Sequence, residues 1–556
     1  MKAVPCDKSN AFFIMPEVEY NNRIKMILNG SEFEKYVKPR ANATNPMIKA
    51  EEKINEYLLN LKKKGDISEE LYKELHLTGS AVPRLYGLAK HHKTDTPLRP
   101  VLSSVNSIYH KIAGRMTKWL SVVPETQINL KTSDVVSTIK GMRLNSEEKL
   151  VSFDIKSLYT NVPATEALKV AANLLYNNDE HIDHRPPVSK KVFIELGKLA
   201  LNDVVMLTTD GYYVQTKGLA MGSPLSPLLA NAWLTRFDKK FTKMDTRFYF
   251  RYVDDVFMTV NKEDIDSTLE TINRWHSNLK FTSELENDAG EINFLDLTIM
   301  RNAESKIDTK WFQKPTNNGV TLNYHAIAPM KYKKSVVISF IYRIFNACST
   351  WKLFHASMEK ARKILHDNCY PQNFVESIIF DTLTKLLNEK RRDNKKTQEV
   401  LDEIRGKMMF RIQYRGPETY TFMKKLVTNL VPIVPVYTTQ KLRFIISGLK
   451  PTIEMSVRSK IVYNITCPNC SASYVGCTYR HLCTRIKEHF NSGGTMREHI
   501  QVCGVNFEGL ENTVIIDSSP DSIKRLLILE ALHIRELKPQ LNKRDEFRSR
   551  RLRLRL

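Results

Sequence analysis

Long apolar runs are missing from this sequence. No stretch approaches 18 uninterrupted apolar residues, so no membrane-spanning helix and no membrane partner is expected. The N-terminus, MKAVPCDKSNAFF, lacks an apolar core flanked by a small-residue cleavage site, so no secretory signal is expected either. Cysteine is sparse: eight in 556 residues argue against a disulfide scaffold. Five of the eight fall between Cys467 and Cys503, a clustering that points to metal binding in a reducing compartment. Negative charge is in short supply, with 61 Asp and Glu against 84 Lys and Arg, a net charge of +23 and a pI near 9.4. A surface this basic needs polyanions, and nucleic acid is the first reading. Fixed-period repeats and low-complexity tracts are absent as well. With 42% hydrophobic and 26% charged residues, the composition excludes wholesale disorder.

The positive charge is clustered. Lys331, Lys333, Lys334 and Arg343 interleave with Tyr332 and Tyr342, and Lys390, Arg391, Arg392, Lys395 and Lys396 form one run. Arginines from Arg548 to Arg555 close the sequence. Length alone suggests three or four structural units, at roughly 150 residues each. Residues 51–75 read as two helices broken at Gly65 and Asp66, and 83–102 as extended segments with proline-marked turns around a basic centre. Helical periodicity returns at 107–122, and KLVSFD (149–154) is an apolar strand ending on an acid. A helix opened by Ser-Pro covers 226–244, a hairpin 247–260 and another helix 264–278, with strands at 280–285, 291–300 and 305–312. From about 325 to 405 the chain reads as helical, basic and aromatic. The stretch 430–439 (LVPIVPVYTT) reads as a connector, and a small α/β unit follows from about 458 to 543.

Three segments carry chemistry together. The first is Phe153-Asp154-Ile155-Lys156-Ser157-Leu158-Tyr159. The second, Gly218 to Pro227, has glycines for close backbone approach and Ser226-Pro227 to open a helix. The third, Phe248 to Val260, sets Asp254-Asp255 between two apolar strands. Taken singly each is ordinary, since Asp-Asp between apolar runs is usually only a turn. Their order and spacing are not: an acid, then a Gly-Ser-Pro loop opening a helix, then an Asp-Asp tip 100 residues after the first acid. Two-metal phosphoryl transfer needs hard oxygen ligands on adjacent strands, and this set supplies them.

FDIKSLY, GSPLSP and YVDD resemble motifs A, B and C of reverse transcriptases. The resemblance implies a right-hand polymerase in which Asp154, Asp254 and Asp255 bind two Mg²⁺ ions, with Mn²⁺ as an alternative. It implies Tyr159 as the gate that rejects a 2′-hydroxyl, hence dNTP substrates, and Gly222, Ser223 and Pro224 as the backing of the nascent base pair. Met221 departs from the glutamine that many relatives carry. Upstream, Lys90, Lys93 and Arg99 resemble the fingers residues that hold the triphosphate, where opposite charge is the physical reason. A solvated basic loop is the competing reading for Lys93.

The C-terminal unit carries a second series. Tyr463 lies on one strand, Tyr474 begins another, and Arg485 and His489 stand one helical turn apart on one face. Glu530 sits in a helix, and Asn542 follows a proline. Interleaved with them, Cys467-x2-Cys470 and His499-x3-Cys503 have half-spacings that suit one structural Zn²⁺, with Cys477 and Cys483 as competing ligands. The series resembles the GIY-YIG nucleases, although its first motif reads Ile-Val-Tyr. By that resemblance Glu530 holds a single divalent metal, Arg485 stabilises the charge on phosphorus, and Tyr463 with Tyr474 or His489 helps activate water. Asn542 would stabilise the site. The division of labour between Tyr463, Tyr474 and His489 stays open.

A reverse transcriptase followed by a GIY-YIG nuclease with an inserted CxxC knuckle resembles the Penelope-like elements, retrotransposons whose polymerase is related to telomerase. CDKSNAFF, GLAKHHK, INFLDLTI and WFQKPT extend the resemblance along most of the sequence. It implies a multidomain α/β and α chain. Residues 1–145 would be an N-terminal segment and fingers, 146–325 the palm and 326–429 a helical thumb. A linker at 430–457, the nuclease with its zinc knuckle at 458–543 and a basic tail at 544–556 would follow. The N-terminal extension of many relatives is expected to be short or absent. The implied partners are element RNA as template, target DNA as primer, and dNTPs, in the nucleus. Lys331, Lys333, Lys334, Arg343, Lys390, Arg391 and Arg392 would track the duplex through phosphates. Two other readings compete: an inactive RNA- or DNA-binding protein that keeps the fold, and a nuclease whose polymerase-like region only binds nucleic acid.

Overall fold

The computed structural model describes residues 1–37, 45–91, 93–121, 131–177, 185–389, 408–426, 433–439, 448–491, 494–504, 510–520 and 522–542. Lys390, Arg391, Arg392 and the arginine tail lie outside the described residues.

Glu148–Ile155 is a strand because Leu150, Val151, Phe153 and Ile155 bury their side chains while the polar residues between them do not. It sits inside a four-stranded antiparallel sheet, between Phe281–Leu285 on one side and Asp255–Asn261 on the other, with Tyr249–Tyr252 at the edge. Helices Ala164–Tyr176 and Ser226–Phe241 pack together beside it. Pro227 stands in the first turn of the second helix, where its missing N–H has no intrahelical partner to lose. A five-stranded sheet lies upstream in space, in the order Phe33–Lys35, Gly211–Gln215, Val204–Thr208, Arg84–Ala89, Leu98–Ser103. These two sheets and their helices share one continuous core.

A second core lies behind the acidic sheet. Three antiparallel strands, Glu291–Phe294, Leu297–Arg301 and Ile307–Trp311, pack against helices Met330–Ala347, Trp351–Asp367 and Gln372–Glu389. The stretch 291–300, read as one strand, is two: Leu295, at φ +55°, and Asp296 turn the chain between them. Within the stretch read as a connector, Ile433–Thr438 is a strand paired in parallel with Met408–Gln413. Pro435 is tolerated there because a two-stranded ribbon leaves each strand an open edge.

The C-terminal unit is a three-stranded antiparallel sheet, Ser473–Thr478, Ile461–Thr466 and Thr513–Ser518, with helices Leu482–Asn491, Thr495–Cys503 and Ile523–Leu537. It is docked on the N-terminal part of the chain. Leu449 and Val457 are buried in the first core, and the Ser459 hydroxyl donates to the Gly79 carbonyl at 2.6 Å. The buried Glu51 carboxylate accepts from the Gly79 and Ser80 amides at 2.9 and 2.7 Å, and His481 Nε2 lies 3.5 Å from it. No described helix is long and apolar enough to cross a membrane.

Candidate active sites

Strand register brings the palm acids together. Asp154 and Asp255 are direct partners across the antiparallel pair, and Thr282 faces Asp154 from the other side. Tyr252 pairs with Asp255, which leaves Val253 and Asp254 as the hairpin turn. Val253 takes φ +55°, a conformation that β-branched residues rarely adopt. A buried arginine holds it there. Arg251, 2% exposed, makes two 2.7 Å bonds to the Asp238 carboxylate and donates to the Val253 carbonyl at 3.0 Å. The Tyr249 hydroxyl donates to the same carboxylate at 2.6 Å. Asp238 belongs to the helix opened by Ser226-Pro227, so that helix clamps the acidic turn from below. The sequence reading missed this pair; its signal was an arginine inside the otherwise apolar FYFRYV.

The electrostatics are those of carboxylates crowded at one place. Burial first, then the charges of Asp254 and Asp154, push the Asp255 carboxyl up to about 6, with Lys314 and Lys8 opposing. Asp154 is more open and is raised by partial desolvation and then by Asp254, with Lys8 and Lys93 pulling it down. Hard oxygen donors that repel one another are what a divalent cation neutralises.

The Gly-Ser-Pro loop is stitched to this centre. Leu219 N–H donates to the Tyr159 carbonyl at 2.7 Å, and Leu102 N–H to the Met221 carbonyl at 2.8 Å. Gly222, at φ +127°, lies so close to Leu102 that a Cβ would stand 2.0 Å from its carbonyl oxygen. The Ser104 hydroxyl donates to the Gly222 carbonyl, and the Ser226 hydroxyl to that of Ala220, both at 2.8 Å. Ser223 is buried and Pro224 half-buried, so the loop presents backbone to the cleft. Tyr159 is half-buried; desolvation raises its phenol, and so does Asp254. Lys90 and Arg99 flank the turn of the hairpin Arg84–Ala89 and Leu98–Ser103, with Lys93 exposed within it. Burial, then Arg99 and Lys93, depress the Lys90 ammonium.

In the C-terminal unit, the fully buried Tyr463 directs its hydroxyl to His489 Nε2 at 2.7 Å, while Arg485 Nε donates to the same hydroxyl at 3.4 Å. The Tyr474 ring meets that of His489 edge-on at 5.0 Å. Gly476 pairs with Tyr463 across the sheet, and a Cβ there would stand 2.8 Å from the Tyr463 hydroxyl. On either side of Gly476, Glu530 accepts from Cys477 N–H at 2.8 Å, and Asn542 exchanges two bonds with Val475 at 2.9 and 2.8 Å. Burial and then Arg485 lower His489 to about 4, so its ring is neutral near neutral pH. Glu488, bonded to Arg485 at 3.3 Å, was not singled out from the sequence.

Cys467, Cys470, His499 and Cys503 converge, their ligand atoms all within 4.8 Å of one another. Cys467 Sγ lies 3.9 Å from Cys503 Sγ, and Cys470 Sγ 3.4 Å from His499 Nε2. A tetrahedral zinc with the usual Zn–S and Zn–N bonds places such pairs ~3.8 and ~3.5 Å apart, so the donor set fits. Burial alone would raise the Cys467 thiol, but hydrogen bonds from the Cys470 backbone, His499 and Asn469 bring it to about 6. Cys477 and Cys483 stand outside the quartet. Among the described residues this is the one set of three or more such ligands so closely drawn; the palm acids face one another across two strands without meeting as tightly.

The cations of helix Met330–Ala347 divide. Lys333 is buried over the Tyr324 ring at 5.1 Å, and Arg343 pairs with Asp296 at 2.9 Å. Lys331 and Lys334 are exposed, the first lying over the Tyr437 ring at 5.1 Å.

Comparison with known proteins defines the class first. Residues 91–286 match the family described as reverse transcriptase (RNA-dependent DNA polymerase), a span that contains Lys93, Arg99, Asp154, Tyr159, the Gly-Ser-Pro loop, Asp254 and Asp255. The chain therefore carries a reverse transcriptase domain. Residues 320–380 match the animal helix-turn-helix domain, which falls on the helices that follow the three-stranded sheet ending at Trp311. Among solved structures, telomerase from Candida albicans with a fragment of telomeric RNA is similar at 13% identity and a TM-score of 0.35, over 65% of this chain and 69% of that one. Apo telomerase from Candida tropicalis is similar at 12% identity and 0.38, over 68% of each chain. The RNA-dependent RNA polymerase of a sicinivirus gives 12% and 0.36, over 57% and 71%. No curated protein matches the chain.

Proposed function

We propose that this chain is the RNA-directed DNA polymerase of a Penelope-like retrotransposon, and that its C-terminal unit is a GIY-YIG endonuclease that nicks target DNA to prime cDNA synthesis. The observation that carries the polymerase reading is the register of Asp154 against Asp255, with Asp254 at the turn beside them, inside the segment that matches reverse transcriptases. Mg²⁺ held by these acids would neutralise charge on the attacking and leaving oxygens. The Gly-Ser-Pro backbone supports the nascent pair, Tyr159 stands beside the sugar, and the fingers cations take the triphosphate. Element RNA, target DNA and dNTPs are the partners of this reading, and the nucleus its setting.

The nuclease reading rests on the cluster of Tyr463, His489 and Arg485. Hydrogen-bonded to each other, Tyr463 and His489 would orient the attacking water. Arg485 offers fixed positive charge to an oxyanion on phosphorus, and Glu530, oriented by the Cys477 amide, would hold one divalent cation. The Cys467, Cys470, His499 and Cys503 quartet holds Zn²⁺ as a structural staple for the helices around that centre. Incubating the full chain with supercoiled plasmid and Mg²⁺ tests the reading. Glu530→Gln and His489→Ala are each expected to slow nicking at least ~100-fold while extension from a preformed primer persists. Undiminished nicking by Glu530→Gln overturns the assignment.

A further inference from the structure

The N-terminal hairpin pairs Lys2–Pro5 with Phe12–Met15, and its turn reaches the fingers sheet. Cys6 bridges to Ala89, and Asp7 N–H donates to the Ala89 carbonyl at 2.9 Å, so the turn is pinned to the residue before Lys90. The Asp7 side chain, 8% exposed, stands 3.0 Å from Arg99 Nε. The next residue, Lys8, is exposed and lines a cavity of about 560 Å³ with Asp154, Asp255 and Lys314.

Lys8 and Lys314 therefore stand beside the palm acids, Lys90, Lys93 and Arg99 belong to the hairpin to which the turn is pinned, and one buried carboxylate, Asp7, is set against Arg99. Cations gathered on one side of a cleft whose other wall is acidic suit an anion of several charges that also carries a metal ion. A triphosphate is such an anion, whereas a primer phosphodiester offers a single charge.

We propose that Lys8 is a phosphate-binding residue of the polymerase site, contacting the triphosphate of the incoming nucleotide between the fingers cations and the palm acids, and that Asp7 positions Arg99 for the same ligand. This rests on the polymerase reading above and adds to it a wall of the nucleotide site built by the N-terminal hairpin.

The test is extension of oligo(dT) on poly(rA) by the full chain, with dTTP titrated. Lys8 is exposed, so Lys8→Ala is expected to keep the wild-type Tm and the wild-type affinity for primer–template in a gel shift. Its KM for dTTP should rise about tenfold, the loss of one charged contact, and Lys8→Arg should restore most of it. Asp7→Asn should raise the same KM by a smaller factor with kcat little changed, a split that a fold defect would not give. An unchanged KM for dTTP in Lys8→Ala overturns the inference, as does weaker primer–template binding without a dTTP effect. If the wild type extends nothing, the polymerase reading falls and this one with it; a wild type that extends confines failure to Lys8.

Discussion

At the scale of single residues, a carboxyl held at about 6 titrates within reach of neutral pH, and Asp255 is such a group. Its pKa in the folded chain lies above the ordinary carboxylate range, so without metal the fold loses stability from this group as pH rises from about 4 through 6. A bound cation reverses the preference, because it takes the ionised form. Mg²⁺ affinity, read by calorimetric titration, should therefore weaken progressively below about pH 6; an affinity flat from pH 5 to 7.5 would contradict the crowding of these acids. Arg251 is a second residue-scale case. Breaking a buried pair by removing one partner costs about 3–5 kcal/mol, so Arg251→Met should lower Tm sharply. Arg251→Lys keeps the charge but cannot make both 2.7 Å bonds to Asp238 and still hold the Val253 carbonyl. It should lose extension activity beyond what its Tm explains, and equal losses would mean that Arg251 only stabilises the core.

At the scale of elements, the sequence showed what short-range chemistry specifies. The Ser-Pro helix, the strand ending at Asp154 and the Asp-Asp hairpin are legible because apolar alternation and turn residues mark them. Their register is not, since nothing in FDIKSLY or YVDD states that Asp154 stands opposite Asp255. The turn at Leu295 that splits one apparent strand was hidden by a continuous apolar run. The Ile433–Thr438 strand was hidden by Pro435, and its partner Met408–Gln413 lies across an intervening helix. Buried polar clamps were the least legible: Asp238 with Arg251 and Glu51 with His481 join residues that only tertiary packing brings together. The CxxC and HxxxC half-sites, by contrast, could be read from spacing and do converge. Replacing Cys467 and Cys470 by serine should remove about one zinc per chain by elemental analysis. The same double variant should loosen helix Thr495–Cys503, read as faster amide exchange. Unchanged metal content would dismiss the site.

At the scale of the whole molecule, the C-terminal unit is held against the N-terminal helices by a buried ionic contact. Burial works against both partners. Even so, hydrogen bonds from His481 and Ser80 hold Glu51 at about 2, while Glu51 and the Val457 carbonyl raise His481. The glutamate's contribution is present above the ordinary carboxylate range and fades only as pH falls toward 2. The histidine's is complete below its ordinary pKa and is lost as pH rises through its elevated value. Docking should therefore loosen as pH rises above the ordinary imidazole range, and in Glu51→Gln at any pH. Cross-linking between the units would report this as a falling yield, and a yield indifferent to both changes would mean that the apolar contacts of Leu449 and Val457 suffice. A chain docked in this way keeps the two candidate centres in one body, beneath a net charge of +23 that draws nucleic acid to it. The polymerase remains the central claim, and primer extension on an RNA template by the full chain with Mg²⁺ and dNTPs tests it most directly. Wild-type protein should build cDNA, and the double variant Asp254→Ala, Asp255→Ala should build none while still binding the primer–template. A wild type that binds the substrate but adds no nucleotide would contradict the account.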